Sequence, residues 1–167
     1  MIIQVDSREK AKAIKKIEAT FDKHEIQHPV SKLIVGDYMN YDNPRIIVDR
    51  KQNLSEVCQN VCQDHERFQR ELVKARDLGI HLVFLVEHGQ GIKSLEDVYF
   101  WKNPRKHKAY WKTVNGKKVR TVASPKAIDG DVLYKTLSTI CERYGVEFQF
   151  CTKAETGERI IEILTRP

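Results

Sequence analysis

The sequence has no run of about 18 apolar residues, which a membrane-spanning helix would need. Its N-terminus also lacks the apolar core of a secretory signal peptide. Hydrophobic residues make up 41% of the 167 residues and charged residues 31%, which is typical of a globular chain. We therefore expect a soluble protein of the cytoplasm, without a membrane partner, and of the host cell if it is encoded by a phage.

Cysteine is scarce, and its four positions are scattered too widely to predict a disulfide framework: Cys58, Cys62, Cys141 and Cys151. Cys58 and Cys62 lie four residues apart on a predicted helix, where a zinc pair is conceivable. No second pair with zinc spacing exists in the sequence, so buried thiols are the favoured interpretation. The six histidines match no metal spacing.

Acidic residues are missing from a long segment between Asp97 and Asp129, although it holds nine of the 29 basic residues. The rest of the chain has 20 basic against 23 acidic residues, so one basic insertion sits in a mildly acidic protein. That distribution indicates a polyanion partner, and we expect DNA. The predicted DNA-binding residues are Arg105, Lys106, Lys108, Lys112, Lys117, Lys118 and Arg120. Aromatic residues near Trp101 and Trp111 could stack on splayed bases or belong to the core, and the sequence leaves this open.

Two carboxylates and a lysine come from neighbouring extended segments. Asp37 follows Gly36, and Asp49 and Lys51 end the apolar run that begins at Ile46. Side chains two apart in a strand share a face, so Asp49 and Lys51 are expected to point the same way. Burying such charges is costly unless a divalent metal and a phosphate offset them. The alternative is a surface hairpin whose charges face water.

These residues carry a resemblance to a known family. The order Gly36-Asp37, then Val48-Asp49-Arg50-Lys51, is similar to the GD…ERK signature of the XPF-type nuclease domain, in the PD-(D/E)xK nuclease superfamily. Upstream, Val5-Asp6-Ser7-Arg8-Glu9 matches the VDxRE element that opens this domain, and Glu66-Arg67-Phe68 stands at its downstream helix element. The resemblance covers about residues 1–88. The chain departs from the signature with Asp49 in place of Glu, and with Ser55 and Glu71 where the family usually has Asp and Gln.

The resemblance implies a metal-dependent DNA endonuclease using Mg²⁺ or Mn²⁺. Its substrates would be branched DNA, flaps or Holliday junctions, in recombination, repair or phage DNA processing. Asp37 and Asp49 would hold the metal, with Asp6 as a further ligand. Lys51 would orient or activate the attacking water and stabilise the pentacovalent phosphate. Arg8, Glu9, Arg50 and Arg67 would support the site or bind phosphate. The family also pairs its nuclease domains, so a homodimer is expected.

The chain pattern predicts an α/β fold, and the resemblance predicts a restriction-endonuclease-like central mixed β-sheet flanked by helices. We expect a single nuclease domain over residues 1–167, with the motifs in 1–88, the basic aromatic insertion at about 98–127 and a helix–strand–helix at 129–165. Helices are expected at 10–23, at 53–78 as one element, and at 131–144; residues 80–86 read as a central strand.

Two other classes of function remain open at this point. One is a non-catalytic DNA-binding subunit with a nuclease fold, which would be expected to carry an eroded motif. The other is a basic protein-interaction module whose acidic residues are structural, and which would show no metal-dependent cleavage.

Overall fold

Six strands form one mixed sheet in the computed structural model, which describes residues 1–122 and 124–167. The strands are β1 (Ile3–Asp6), β2 (Val30–Ser31), β3 (Tyr38–Asn40), β4 (Asn43–Lys51), β5 (His81–Glu87) and β8 (Glu147–Cys151). Their order across the sheet is β2-β1-β3-β4-β5-β8. Strands β4, β5 and β8 run parallel, whereas β3 is antiparallel to both β1 and β4.

Six α-helices flank this sheet and confirm the predicted fold class. They are α1 (Ala11–Lys23), α2 (Leu54–Cys62), α3 (His65–Asp77), α4 (Pro104–His107), α5 (Gly130–Tyr144) and α6 (Thr156–Leu164). One face of the sheet packs against α2, α3 and α5 through a core that includes Phe84, Leu133 and Phe148. The other face packs against α1 and α6 around Phe21, Tyr38 and Ile160. No helix among the described residues is both long and apolar enough to cross a membrane.

Strand β4 serves both layers because its side chains alternate. Ile47 belongs to the core beneath α2 and α3, and Val48 belongs to the core beneath α1 and α6. The following residues continue this alternation, so Asp49 and Lys51 share the face of Ile47. Arg50 lies on the opposite face with Val48. Strand β5 is buried on both faces from Leu82 to Val86, as its apolar run predicted.

The prediction of one helix from 53 to 78 is wrong, because the segment forms α2 and α3 with a break between them. The backbone amides of Gln63 and Asp64 both donate to the carbonyl of Gln59, at 2.8 and 3.1 Å, which ends α2. The amide of Phe68 then donates to the carbonyl of Asp64 at 3.0 Å and begins α3. Neither Gly nor Pro stands at the break, so the apolar periodicity of the sequence continues across it and does not show that a helix ends there. Between residues 27 and 35 the extended structure is confined to β2 and an isolated bridge at Gln27.

The basic insertion has its own structure, which the sequence pattern had not predicted. A 3-10 helix (Glu96–Phe100) and α4 lead into the hairpin of β6 (Ala109–Val114) and β7 (Lys117–Val122), a separate two-stranded sheet. Asn115 and Gly116 both have positive φ, at 51° and 75°, as a type I′ hairpin turn requires. Ala123, within the insertion, lies outside the described residues.

Candidate active site

The first carboxylate is held at a tight approach between strands. Gly36 has φ +64°, and a Cβ there would lie 2.5 Å from Ile47 Cγ2 and 3.1 Å from the Val48 carbonyl oxygen. Only glycine satisfies both conditions without strain. Asp37 follows at once; its amide donates to the Val48 carbonyl, and its Oδ2 accepts from the Arg50 amide, both at 2.8 Å. The turn therefore fixes the Asp37 carboxylate against the last residues of β4.

Asp49 and Lys51 meet at the end of β4, as the strand periodicity predicted. Lys51 Nζ lies 2.6 Å from Asp49 Oδ1, and it also lies 5.6 Å from the centre of the Phe84 ring. This contact is a close ion pair, and Asp49 Oδ1 has no other partner among the described residues. The Asp49 side chain is only 5% exposed. A buried carboxylate beside a second acid, Asp37, favours a further cation, because one ammonium neutralises only one of the two charges.

Several ionisable side chains lie close together in the site, and their charges shift the pKa values of Asp37 and Lys51. Burial, then the charges of Asp49 and Glu9, raise the pKa of Asp37 well above its usual range. Burial alone would lower the pKa of Lys51, but the carboxylates of Asp49 and Asp37 raise it above its ordinary value. Lys51 is therefore an ammonium at neutral pH when no metal is bound.

Arg50 lies on the other face of β4 inside a buried ion network. Its guanidinium is 2.8 Å from Glu9 Oε2 and 3.2 Å from Glu87 Oε2. Glu9 also accepts from the Tyr38 hydroxyl at 3.2 Å, and Glu87 accepts from the Thr156 hydroxyl at 2.8 Å. The network ties β3, β4, β5 and α6 together, and it uses the Arg50 donors inside the protein.

Asp6 and Arg8 form a second, more peripheral pair. Arg8 Nε donates to Asp6 Oδ1 at 2.7 Å, and the Leu33 amide donates to Asp6 Oδ2 at 2.6 Å. Burial opposes ionisation of Asp6, but the bonds from Arg8 and Leu33 outweigh it and lower its pKa. Both carboxylate oxygens are engaged, so Asp6 would have to release a donor before it could bind a cation. The Arg8 side chain is 58% exposed and points its charge into the adjoining cleft.

A cleft of about 820 Å³ brings these groups together between the start of α1, the end of β4 and one face of α3. Its lining includes Asp37, Asp49 and Arg50 from the strands and Arg8 and Glu9 from the segment before α1. Helix α3 contributes side chains that repeat at helical spacing: Arg67, Arg70, Glu71 and Lys74. Of these, only Arg67 was predicted. It is 73% exposed and lies 3.5 Å from Asp64 rather than pairing with Glu71.

Glu71 is the acidic residue that the sequence pattern missed. Its Oε1 accepts from the Gly36 amide at 3.3 Å. Burial and then the charge of Asp49 raise its pKa, while Lys51 opposes that rise. The i, i+3, i+4, i+7 spacing from Arg67 to Lys74 places all four on one helix face. That spacing was the available signal for a polar face turned toward the site.

Comparison with known proteins agrees with this arrangement. The model of the ERCC4 domain matches residues 5–164. The chain belongs to the ERCC4 domain family. The resemblance to XPF-type nuclease domains is thereby confirmed over nearly the whole chain rather than only over residues 1–88. A search of curated proteins found no match.

Solved structures show the same fold as this ERCC4 domain. XPF from Aeropyrum pernix superposes with a TM-score of 0.62 at 14% sequence identity, over 98% of this chain and 63% of that one. XPF from Aeropyrum pernix in complex with DNA gives 0.60 at 15% identity, over 98% and 62%. The chain thus spans less than two thirds of the length of these XPF chains.

The carboxylates of this ERCC4 domain fit a magnesium-type ion. Mg²⁺ takes oxygen ligands and is commonly held by one or two carboxylates, with water and substrate phosphate completing its shell. Asp37 and Asp49 supply two carboxylates, and that of Asp49 is buried. Among residues 1–122 and 124–167 no three His, Cys, Asp or Glu side chains form a preassembled metal group.

The predicted DNA-binding residues lie in α4, at its C-terminal end and on the β6–β7 hairpin, where most side chains are exposed. Lys106 is an exception, because Asp129 lies 3.1 Å from its ammonium and also 2.8 Å from His107 Nε2. The two tryptophans separate: Trp101 is 6% exposed within the core, whereas Trp111 is 69% exposed on β6. Near the hairpin, Cys58 of α2, Arg105 of α4 and Ser124 line one pocket. The first turn of α2 in turn lines the cleft through Glu56.

Proposed function

We propose that this ERCC4 domain is a Mg²⁺- or Mn²⁺-dependent endodeoxyribonuclease that hydrolyses phosphodiester bonds in branched DNA, such as flaps and Holliday junctions. The observation that carries the proposal is that Asp37 and Asp49 line one cleft, with Lys51 2.6 Å from the buried Asp49 carboxylate. Burial and then the charge of Asp49 raise the pKa of both Asp37 and Glu71, and a bound cation would relieve this repulsion.

Asp37 and Asp49 are the proposed metal ligands. The bound ion would supply Lewis-acid polarisation of the phosphate and activation of water. Lys51 holds a full positive charge beside Asp49, so its role is to stabilise the negative charge that develops on the phosphate. Proton acceptance by Lys51 is disfavoured by the raised pKa of its ammonium.

The other predicted residues act on the DNA backbone or on the ligands. Arg8, oriented by Asp6, and Arg67 on α3 place guanidinium groups along the cleft for phosphate contact. Arg50 and Glu9 position the Asp37 turn through the buried network, so they support the site without binding phosphate. In this proposal Asp6 positions Arg8 and is not a metal ligand.

A homodimer remains a prediction. The apolar side chains of α5 and α6 include Leu133, Leu137, Ile160 and Ile163, which are buried in the chain's own cores. Pairing would therefore use the outer faces of these helices. A preference for branched DNA and a role in recombination, repair or phage DNA processing likewise rest on the family and on XPF having been solved in complex with DNA.

A cleavage assay tests the function. Linear, flap and four-way DNAs are incubated with the full chain, with and without Mg²⁺, and products are resolved by size. Asp49→Asn is expected to abolish cleavage, whereas Asp42→Asn, at an exposed carboxylate in the turn between β3 and β4, is expected to retain it. Equal cleavage by the Asp49→Asn protein, once contaminating nuclease is excluded, would overturn the catalytic assignment of Asp49. DNA binding without cleavage by the unaltered chain would indicate a non-catalytic subunit.

A further inference from the structure

The β6–β7 hairpin is a two-stranded sheet that pairs with no strand of the main sheet. Residues 110–120 are exposed throughout, so neither face is covered by the domain. An isolated two-stranded hairpin is only marginally stable in water. Here the Asn115-Gly116 turn closes its tip, and at its base the Ser124 amide donates to the Arg105 carbonyl at 2.9 Å. The hairpin is thus a formed arm with both faces available to a partner.

The strand register assigns side chains to the two faces. Residues directly opposite each other share a face, so Trp111 and Arg120 stand side by side, as do Thr113 and Lys118. Opposed residues have Cβ atoms about 4.5–5.5 Å apart, and diagonal neighbours about 7–8 Å. One face of the arm therefore presents a flat indole with two cations within reach of anything stacked on it.

The positive charge of the insertion and the exposed indole of Trp111 indicate which ligand this face would bind. The insertion carries nine cations and no acid between Asp97 and Asp129, which complements a polyanion. Stacked base pairs in a duplex offer no free ring face to an indole, whereas unpaired bases do. Single-strand binding combines aromatic stacking platforms with cations that follow the phosphates.

From this geometry we propose that the hairpin is a single-strand DNA arm, in which Trp111 stacks on an unpaired base and Arg120 and Lys118 bind the adjacent phosphates. The inference rests on the proposed function in that DNA is the substrate, and it specifies the feature of branched DNA that the domain would recognise: an unpaired segment near the junction.

The experiment measures binding of the full chain to a labelled oligothymidine of about 16 nucleotides and to a blunt duplex of the same length. Trp111→Leu removes the ring, and Trp111→Phe keeps a stacking surface. Phe100→Leu removes another exposed aromatic outside the hairpin and is the matched control. Since Trp111 is exposed, these changes are expected to leave the melting temperature unchanged.

Trp111→Leu is expected to weaken oligothymidine binding roughly 5- to 150-fold, which corresponds to loss of one stacked base. Trp111→Phe and Phe100→Leu are expected to stay within about twofold of the parent chain. Duplex binding is expected to be the same for all four proteins. Intrinsic fluorescence gives a second readout, because the buried Trp101 stays constant while oligothymidine quenches Trp111.

Unchanged oligothymidine binding by Trp111→Leu, or an equal loss for oligothymidine and duplex, would overturn the inference. The first result would mean that this face binds something other than DNA. The second would mean that the arm binds phosphates without recognising unpaired bases. Failure of the nuclease proposal is separate, since it appears as absent metal-dependent cleavage while the binding difference at Trp111 persists.

Discussion

Replacing Asp37 by Asn is expected to make the metal-free protein more stable. The folded site raises the pKa of this carboxyl through burial and through the charges of Asp49 and Glu9. A carboxyl whose folded pKa lies above its unfolded value binds protons more tightly when folded, so its ionisation at neutral pH opposes folding. Asn removes that charge, and its amide oxygen can still accept from the Arg50 amide as Oδ2 does now.

The magnitude follows from the linkage. Each unit by which the pKa is raised corresponds to about 1.4 kcal/mol of unfolding free energy at neutral pH. In a domain of this size each kcal/mol shifts the melting temperature by about 2–4 °C, so each unit is expected to appear as about 3–6 °C. The gain should be full above the folded pKa of Asp37 and vanish as the pH falls below the ordinary carboxyl pKa of about 4, where the carboxyl is protonated in both states.

The assay is thermal unfolding of the parent chain, Asp37→Asn and the surface control Asp42→Asn, with chelator and with excess Mg²⁺. At 100 times its dissociation constant, the metal would stabilise the parent chain by about 2.7 kcal/mol. Asp37→Asn is expected to lose most of that metal effect. A metal-free melting temperature of Asp37→Asn equal to or below that of the parent chain near pH 7 would refute the electrostatic account.

Three further predictions follow from other parts of the molecule. Gly36→Ala is expected to lower the melting temperature and impair cleavage, since the new Cβ would meet Ile47 Cγ2 at 2.5 Å; a stable and active Gly36→Ala protein, seen by calorimetry and cleavage assay, would contradict the geometry. Reversing Lys118 and Arg120 to Glu is expected to reduce the salt slope of oligothymidine binding by about 1.4, and an unchanged slope in anisotropy titrations would show that these cations do not bind phosphate. Light scattering at micromolar concentration is expected to give twice the 19.5 kDa chain mass, and the monomer mass with and without junction DNA would rule out the dimer.

Strand periodicity was enough to predict that Asp49 and Lys51 lie on one face. The family resemblance singled out Gly36, and the structure supplies the reason, since a Cβ there would meet the Ile47 side chain. The sequence alone could not place Glu71 beside Asp49, because that proximity depends on how α3 packs over β5. The break at Gln63 was likewise missed, since the sequence supplies no Gly or Pro there.

In the basic insertion, some features could have been predicted from the sequence and others could not. Asn115-Gly116 between short β-prone segments is a strong hairpin signal, so the β6–β7 hairpin could have been predicted from its turn. Trp101 and Trp111 could not be separated by sequence, because both stand among lysines and aromatic residues. Burial of one and exposure of the other are decided by the 3-10 helix, which packs Trp101 into the core.

The buried Arg50 network has a consequence for when a working site can exist. A guanidinium taken out of water is tolerated only while its acidic partners are in place, and Glu87 is oriented by Thr156 at the start of α6. A chain on the ribosome that has completed β4 but not α6 therefore lacks a settled Asp37 turn, so the site would be formed only after α6 has been synthesised. Hydrogen exchange can test this coupling: the Arg50 amide and the α6 amides are expected to open as one cooperative unit, and earlier opening of α6 alone would disprove it.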